Sequence, residues 1–145
     1  MRRTLDLLFW TAVAVSVVHY ADNYFNYNQF PQASSGPSPS RTVVGVSWFV
    51  FTAFGLAGYA LFRQGQVRRS SVFLAVYSIS GLIGIGHYSA AGMTEAVWWR
   101  QAHVIADIAL GLAVFAFAVW AGRRSATSAS RGRFVAPSED AHRSR

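Results

Sequence analysis

The amino-acid sequence points to an all-α integral membrane protein, a four-helix bundle with both termini cytoplasmic. Three observations carry this reading. Four apolar stretches approach the ~20 residues a helix needs to cross a bilayer. Charged residues make up only 13% of the 145-residue chain, whereas a soluble domain carries about 25%. The arginines also gather on alternate sides of the apolar stretches. Irregular backbone facing lipid leaves polar groups unsatisfied, so the spans are expected to be helices.

The first helix is expected over about 4–24, behind Arg2 and Arg3. This start resembles a signal peptide, but His19-Tyr20-Ala21-Asp22-Asn23 lacks the small-residue spacing of a cleavage site. An uncleaved first span is expected. The second helix, about 43–62, and the third, about 71–91, contain no Asp, Glu, Arg or Lys. The fourth, about 98–121, contains Asp107.

Arginine placement gives the expected orientation. Arg2, Arg3, Arg63, Arg68, Arg69, Arg123 and Arg124 fall on one side, and only Arg41 and Arg100 on the other. Basic residues favour the cytoplasmic side, so both ends are expected there, in a bacterial-type plasma membrane. The arginines are read as topology and headgroup residues. The net charge of +7 comes with no basic patch interleaved with aromatics, so no nucleic-acid partner is expected.

Connections and tail follow. Tyr24, Phe25, Tyr27 and Phe30 alternate with Asn23, Asn26, Asn28 and Gln29, a mixture suited to the headgroup zone. Pro31 to Ser40 reads as an irregular connector. The turns over Arg63–Ser70 and Ala91–Val97 are short, so their flanking helices are expected to be antiparallel neighbours. Residues 1–121 are read as the bundle and 122–145 as a basic, disordered cytoplasmic tail. His142 lies in that tail and is given no role. Small residues at Gly55, Gly58, Gly81, Gly84 and Gly86, and at Ala102, Ala106, Ala109 and Ala113, are expected to let helices approach closely.

The chain has no cysteine. Disulfides, thiol nucleophiles and cysteine-ligated clusters are thereby excluded. Its chemistry must lie in other polar residues, and several stand where an apolar span should have none. Ionisable groups within a membrane usually face a bundle interior or a water-filled cavity. His19, Asp22 and Asn23 fall at the outer end of the first span, His87 at the outer end of the third, and His103 one turn inside the fourth. Asp107 lies one further turn in, about 6 Å along the axis by the helical rise. His103 and Asp107 are four apart, and His19 and Asp22 three apart, so each pair shares a helix face. Ser16 continues the His19–Asp22 face, and Tyr77, Ser80, Gly84 and His87 form a small polar stripe on the third span.

Imidazoles bind transition metals, and three histidines with an open position suit a catalytic zinc ion. His19, His87 and His103 are therefore read as metal ligands, with Asp107 and Asp22 as catalytic co-ligands or orienters of the imidazoles. The expected cofactor is a divalent metal such as zinc, with haem as the alternative. The expected function is that of a small metal-dependent membrane enzyme acting on a lipid-like amphiphile. Two other functions fit the same residues. One is a haem- or quinone-linked redox subunit. The other is a non-catalytic partner or transporter subunit, acting in an oligomer or with a partner protein, whose polar cluster is structural. Glu95 is expected to be solvated in the last turn.

Overall fold

In the computed structural model the described residues are 1–31 and 39–134, with side chains described as far as Thr127. Four α-helices form the bundle: α1 (Arg2–Phe25), α2 (Arg41–Arg63), α3 (Val67–Leu82) and α4 (Trp98–Phe134). Three short 3-10 segments, Tyr27–Gln29, Ile83–Ser89 and Met93–Glu95, gather near one end. Among the described residues there is no strand. Four helices, counting Ile83–Ser89 as an extension of α3, are long and apolar enough to cross a membrane.

Local signals explain the element ends. Ser40 caps α2, its hydroxyl accepting a hydrogen bond from the Val43 amide at 3.3 Å. The turn between α2 and α3 passes through Gly65 at φ +81°, a left-handed backbone that glycine adopts without a Cβ penalty. The α-helical part of α3 stops at Leu82 and tightens into a 3-10 segment, so the expected uniform helix over 71–91 is not observed. Gly84 and Gly86 lie in that segment, and glycine is a poor α-helix former. At the other extreme, α4 continues past Ala121 to Phe134. The added stretch holds four arginines, good helix formers, and extending an existing helix needs no new nucleus. The rest of the expected tail, with His142, lies outside the described residues, as does most of the Pro31–Ser40 connector.

The helices close in a ring. α3 packs on α2 and α4, and α1 on α2 and α4. Leu5, Phe9, Phe62, Leu74, Val114 and Phe117 are buried together towards the arginine-rich end. In a membrane, where lipid tails are as apolar as these side chains, close packing rather than escape from water would hold them. The closest crossing is between α3 and α4. A Cβ on Gly81 would run into the Asp107 carbonyl oxygen, and one on Gly111 would come within 3.0 Å of the Ser78 carbonyl oxygen. Gly111 thus does what the alanine series was expected to do. Ala102 and Ala109 are exposed, and Gly86 has open space around it. The reason is angular: His103, Asp107, Gly111, Val114, Ala118 and Ala121 share the inward face of α4 and so turn those alanines outward.

Outward faces carry Leu7, Phe25, Phe49, Val72, Ile105 and Leu112, all exposed. A continuous apolar belt of this kind suits hydrocarbon and not water. At the arginine-rich end, the Tyr59 hydroxyl donates to Asp6 at 2.8 Å, and Arg63 lies 3.5 Å from the same carboxylate.

Candidate functional site

The other end of the bundle is polar inside. Its residues come from three helices and the segments that follow them: the end of α1, the 3-10 extension of α3 and the start of α4. A small apolar cluster of Phe30, Met93 and Val104 closes over it. Of the five residues expected from the sequence, His19, Asp22, His103 and Asp107 are buried and His87 is half-buried. All five come together.

Their pairing differs from the expected one. Each carboxylate was placed beside the histidine on its own helix. Instead, each reaches across to the opposite helix. His19 Nδ1 on α1 lies 2.7 Å from Asp107 Oδ2 on α4. His103 Nε2 on α4 lies 3.2 Å from Asp22 Oδ2 on α1. Side chains on one inward face project towards the neighbouring helix, so their nearest partners lie across the interface.

The two pairs have different surroundings. Around His19, the second ring nitrogen Nε2 is 3.3 Å from His87 Nε2. The Asn23 amide nitrogen lies 3.1 Å from that same His87 atom, to which it can only donate. Asp107, His19 and His87 therefore stand in a row, with His19 Nε2 and the Asn23 amide sharing the His87 Nε2 atom. Protons can pass along such a row with little movement of heavy atoms. Its far end reaches a cavity of about 360 Å³ whose lining includes His19, Tyr20, Asn23, Ser80 and His87. The Tyr20 hydroxyl donates to the Ser80 carbonyl oxygen at 3.2 Å.

Around Asp22 the carboxylate is fully engaged. Arg100 donates from Nε at 2.9 Å to one oxygen and from Nη2 at 3.5 Å to the other. Asn26 donates to Oδ1 at 2.7 Å. Two further guanidinium donors go to the backbone oxygen and side-chain oxygen of Gln29, each at 3.2 Å. Phe30 and Trp99 rings flank the guanidinium at 4.5 and 5.2 Å. Neither Asp22, Arg100 nor His103 lines the cavity.

Arg100 corrects the reading of the arginines as topology and headgroup residues. It is only 5% exposed and closes the polar end of the bundle. Its spacing held the signal: it precedes His103 by three and Asp107 by seven, so all three share one face of α4. Asn23, expected beside His19 and Asp22, contacts His87, whereas Gln29, expected only in the headgroup zone, holds Arg100. Ser16 turns away from the cluster and accepts from the Trp48 indole at 3.2 Å. Glu95 is exposed, as expected.

The metal expectation meets a geometric limit. Among the described residues, no three His, Asp or Glu groups are arranged to hold one metal ion. His103 turns Nε2 to Asp22, and its Nδ1 is buried without a hydrogen-bond partner. No known protein family, curated protein or solved structure matches the chain.

Proposed function

We propose that this chain is an integral membrane protein that binds a lipid-like amphiphile in the cavity and moves protons to and from it through His87 and His19, the latter held by Asp107. The observation that carries this reading is the row itself: a buried carboxylate 2.7 Å from an imidazole, whose other nitrogen meets a second imidazole at the wall of a cavity. A base held by an orienting carboxylate is the arrangement general acid–base catalysis uses. In this reading Asp107 orients, His19 relays and His87 meets the ligand. Asp22, Arg100 and His103 hold the helices that present them. The bundle lies with the histidine end at the outer leaflet and both termini in the cytoplasm, as arginine placement favours.

The test uses the purified full chain in detergent, incubated with a membrane lipid extract in D₂O. Lipids are then searched by mass spectrometry for conversion or carbon-bound deuterium. A product that the wild type forms, and that falls about 100-fold in His19→Gln and His87→Gln, supports the reading. A folded wild type that changes no lipid removes it.

One observation favours a second reading, in which a transition metal binds His19 and His87. Their Nε2 atoms are 3.3 Å apart, about the separation of two nitrogens on a tetrahedral zinc with bonds of roughly 2.05 Å. The unpartnered Nδ1 of His103 is a further nitrogen in the same cluster. Elemental analysis of wild type beside His103→Ala and His87→Ala separates the two. About one metal per chain, lost in the His87 variant, moves the reading to a metal centre.

A further inference from the structure

The outward faces of α1 and α2 enclose a second hollow. It is an open, apolar groove of about 500 Å³, lined by residues including Val17, Ala21, Tyr24, Val46 and Phe49. Gly45 forms part of its wall, where a Cβ would come within 3.0 Å of the Tyr24 ring. Tyr20 lines this groove and also lines the polar cavity. Tyr20 thus marks the border at which the two hollows adjoin.

The polar cavity has an unusual electrostatic character for a site that would meet membrane lipids. Among the described residues, no Asp, Glu, Arg or Lys lines it. Residues 32–38, which join α1's end to α2, carry no such residue either. Of the cations near it, Arg100 is committed to Asp22 and Gln29, and Arg41, at the start of α2, stacks over the Tyr24 ring at 4.5 Å and does not line the cavity. Asp107 stands behind His19 and does not reach the wall. A phosphate or carboxylate head brought into this cavity would find no guanidinium or ammonium, and burying an unpaired ion is costly. The wall instead offers neutral hydrogen-bonding groups, among them Asn23, Ser47, Ser80 and the His87 imidazole.

We infer that the ligand is an amphiphile with an acyl chain and an uncharged hydroxyl or carbonyl head, the head in the cavity and the chain in the α1–α2 groove. The groove opens towards the region that hydrocarbon occupies around a membrane-spanning bundle, so the chain enters sideways without crossing water. Val46 and Phe49 are exposed at its edge and Ala21 lies half-buried in it. The head then meets His87 and Asn23 next to the His19 relay. This inference rests on the proposed proton-transfer site for its location, but its own content is the neutrality of the head and the seat of the chain.

The experiment is photolabelling of the full chain in phosphatidylcholine nanodiscs. The probe is a long-chain fatty alcohol with a diazirine in its chain, compared with probes of the same chain ending in a carboxylate or a phosphate. Labelled peptides are mapped in wild type, Val46→Trp and Ala21→Phe. The expected result is saturable labelling of α1 and α2, favouring the alcohol by about tenfold and falling in both groove-filling variants. Thermal unfolding of each variant shows that the fold is kept. Equal labelling of the outward faces of all four helices would mean that the groove holds only bulk lipid, and a preference for either anionic probe would mean that the head is charged. Either result overturns the inference. The lipid-conversion assay reads the proton-transfer site separately, so selective labelling without conversion breaks that reading alone, and conversion without selective labelling breaks this one alone.

Discussion

Two histidine–aspartate pairs lie side by side in this bundle, and they differ in what surrounds them. The Asp22–His103 pair is sealed. Its carboxylate accepts from Arg100, Asn26 and the histidine, and two aromatic rings flank the guanidinium. The Asp107–His19 pair is open at one end. Its histidine leads to His87 and to the cavity. The same two residue types thus serve two ends. Where a cation and neutral donors fill every position on the carboxylate, the pair ties helices together. Where one imidazole nitrogen is left to face a second imidazole and a cavity, the pair can exchange a proton with a ligand.

The strongest way to break this contrast is to take the cation from the sealed pair. Arg100→Leu leaves Asp22 buried without its ion partner, and breaking such a pair costs about 3–5 kcal/mol. The expected result is a large fall in thermal unfolding temperature in detergent, partly recovered when Asp22→Asn is added. An unchanged melting curve would show that Arg100 is not structural. The matching change in the open pair is Asp107→Asn, which keeps the side-chain volume and removes the charge beside His19. Lipid conversion should fall about 100-fold, while the unfolding temperature moves far less than in Arg100→Leu. A collapse of the fold in this variant would make both pairs structural and erase the distinction.

A gentler probe needs no substitution. Diethylpyrocarbonate acylates accessible imidazole nitrogens. His87, half-buried at the cavity, should be modified at least about tenfold faster than His103, which reacts only through local opening. Peptide mass spectrometry reads the ratio, and equal rates would mean that the sealed pair is not sealed. The smallest effect belongs to the opposite end of the bundle. Tyr59→Phe removes the hydrogen bond to Asp6 and should cost about 1 kcal/mol in unfolding, with lipid conversion unchanged. A loss of conversion there would show that the two ends are coupled.

Much of the frame was legible before any coordinates. Span length and arginine spacing locate four helices because hydrocarbon thickness and backbone hydrogen bonding permit few alternatives. The membership of the polar cluster was legible for a related reason: His19, Asp22, His87, His103 and Asp107 are costly in an apolar span and fall at one level. Arg100 escaped notice because an arginine beside Trp99 at a span end also suits the headgroup zone. The end of the third helix was misjudged because glycine-rich apolar sequence at a span end suits both α and 3-10 geometry.

Helical periodicity acts along one chain segment, so the sequence by itself determined that His19, Asp22, His87, His103 and Asp107 fall on shared faces at one level, but not that Arg100 turns inward while Ala102 and Ala109 turn outward. The pairing of those residues was decided only by the tertiary structure. The choice of His19 for Asp107 and of His103 for Asp22 depends on how α1 and α4 are rotated and spaced across the ring. Those rotations are set by packing contacts far apart in sequence, such as the crossing of Gly81 with Gly111. The cavity has the same origin, since a space between helices belongs to none of them alone.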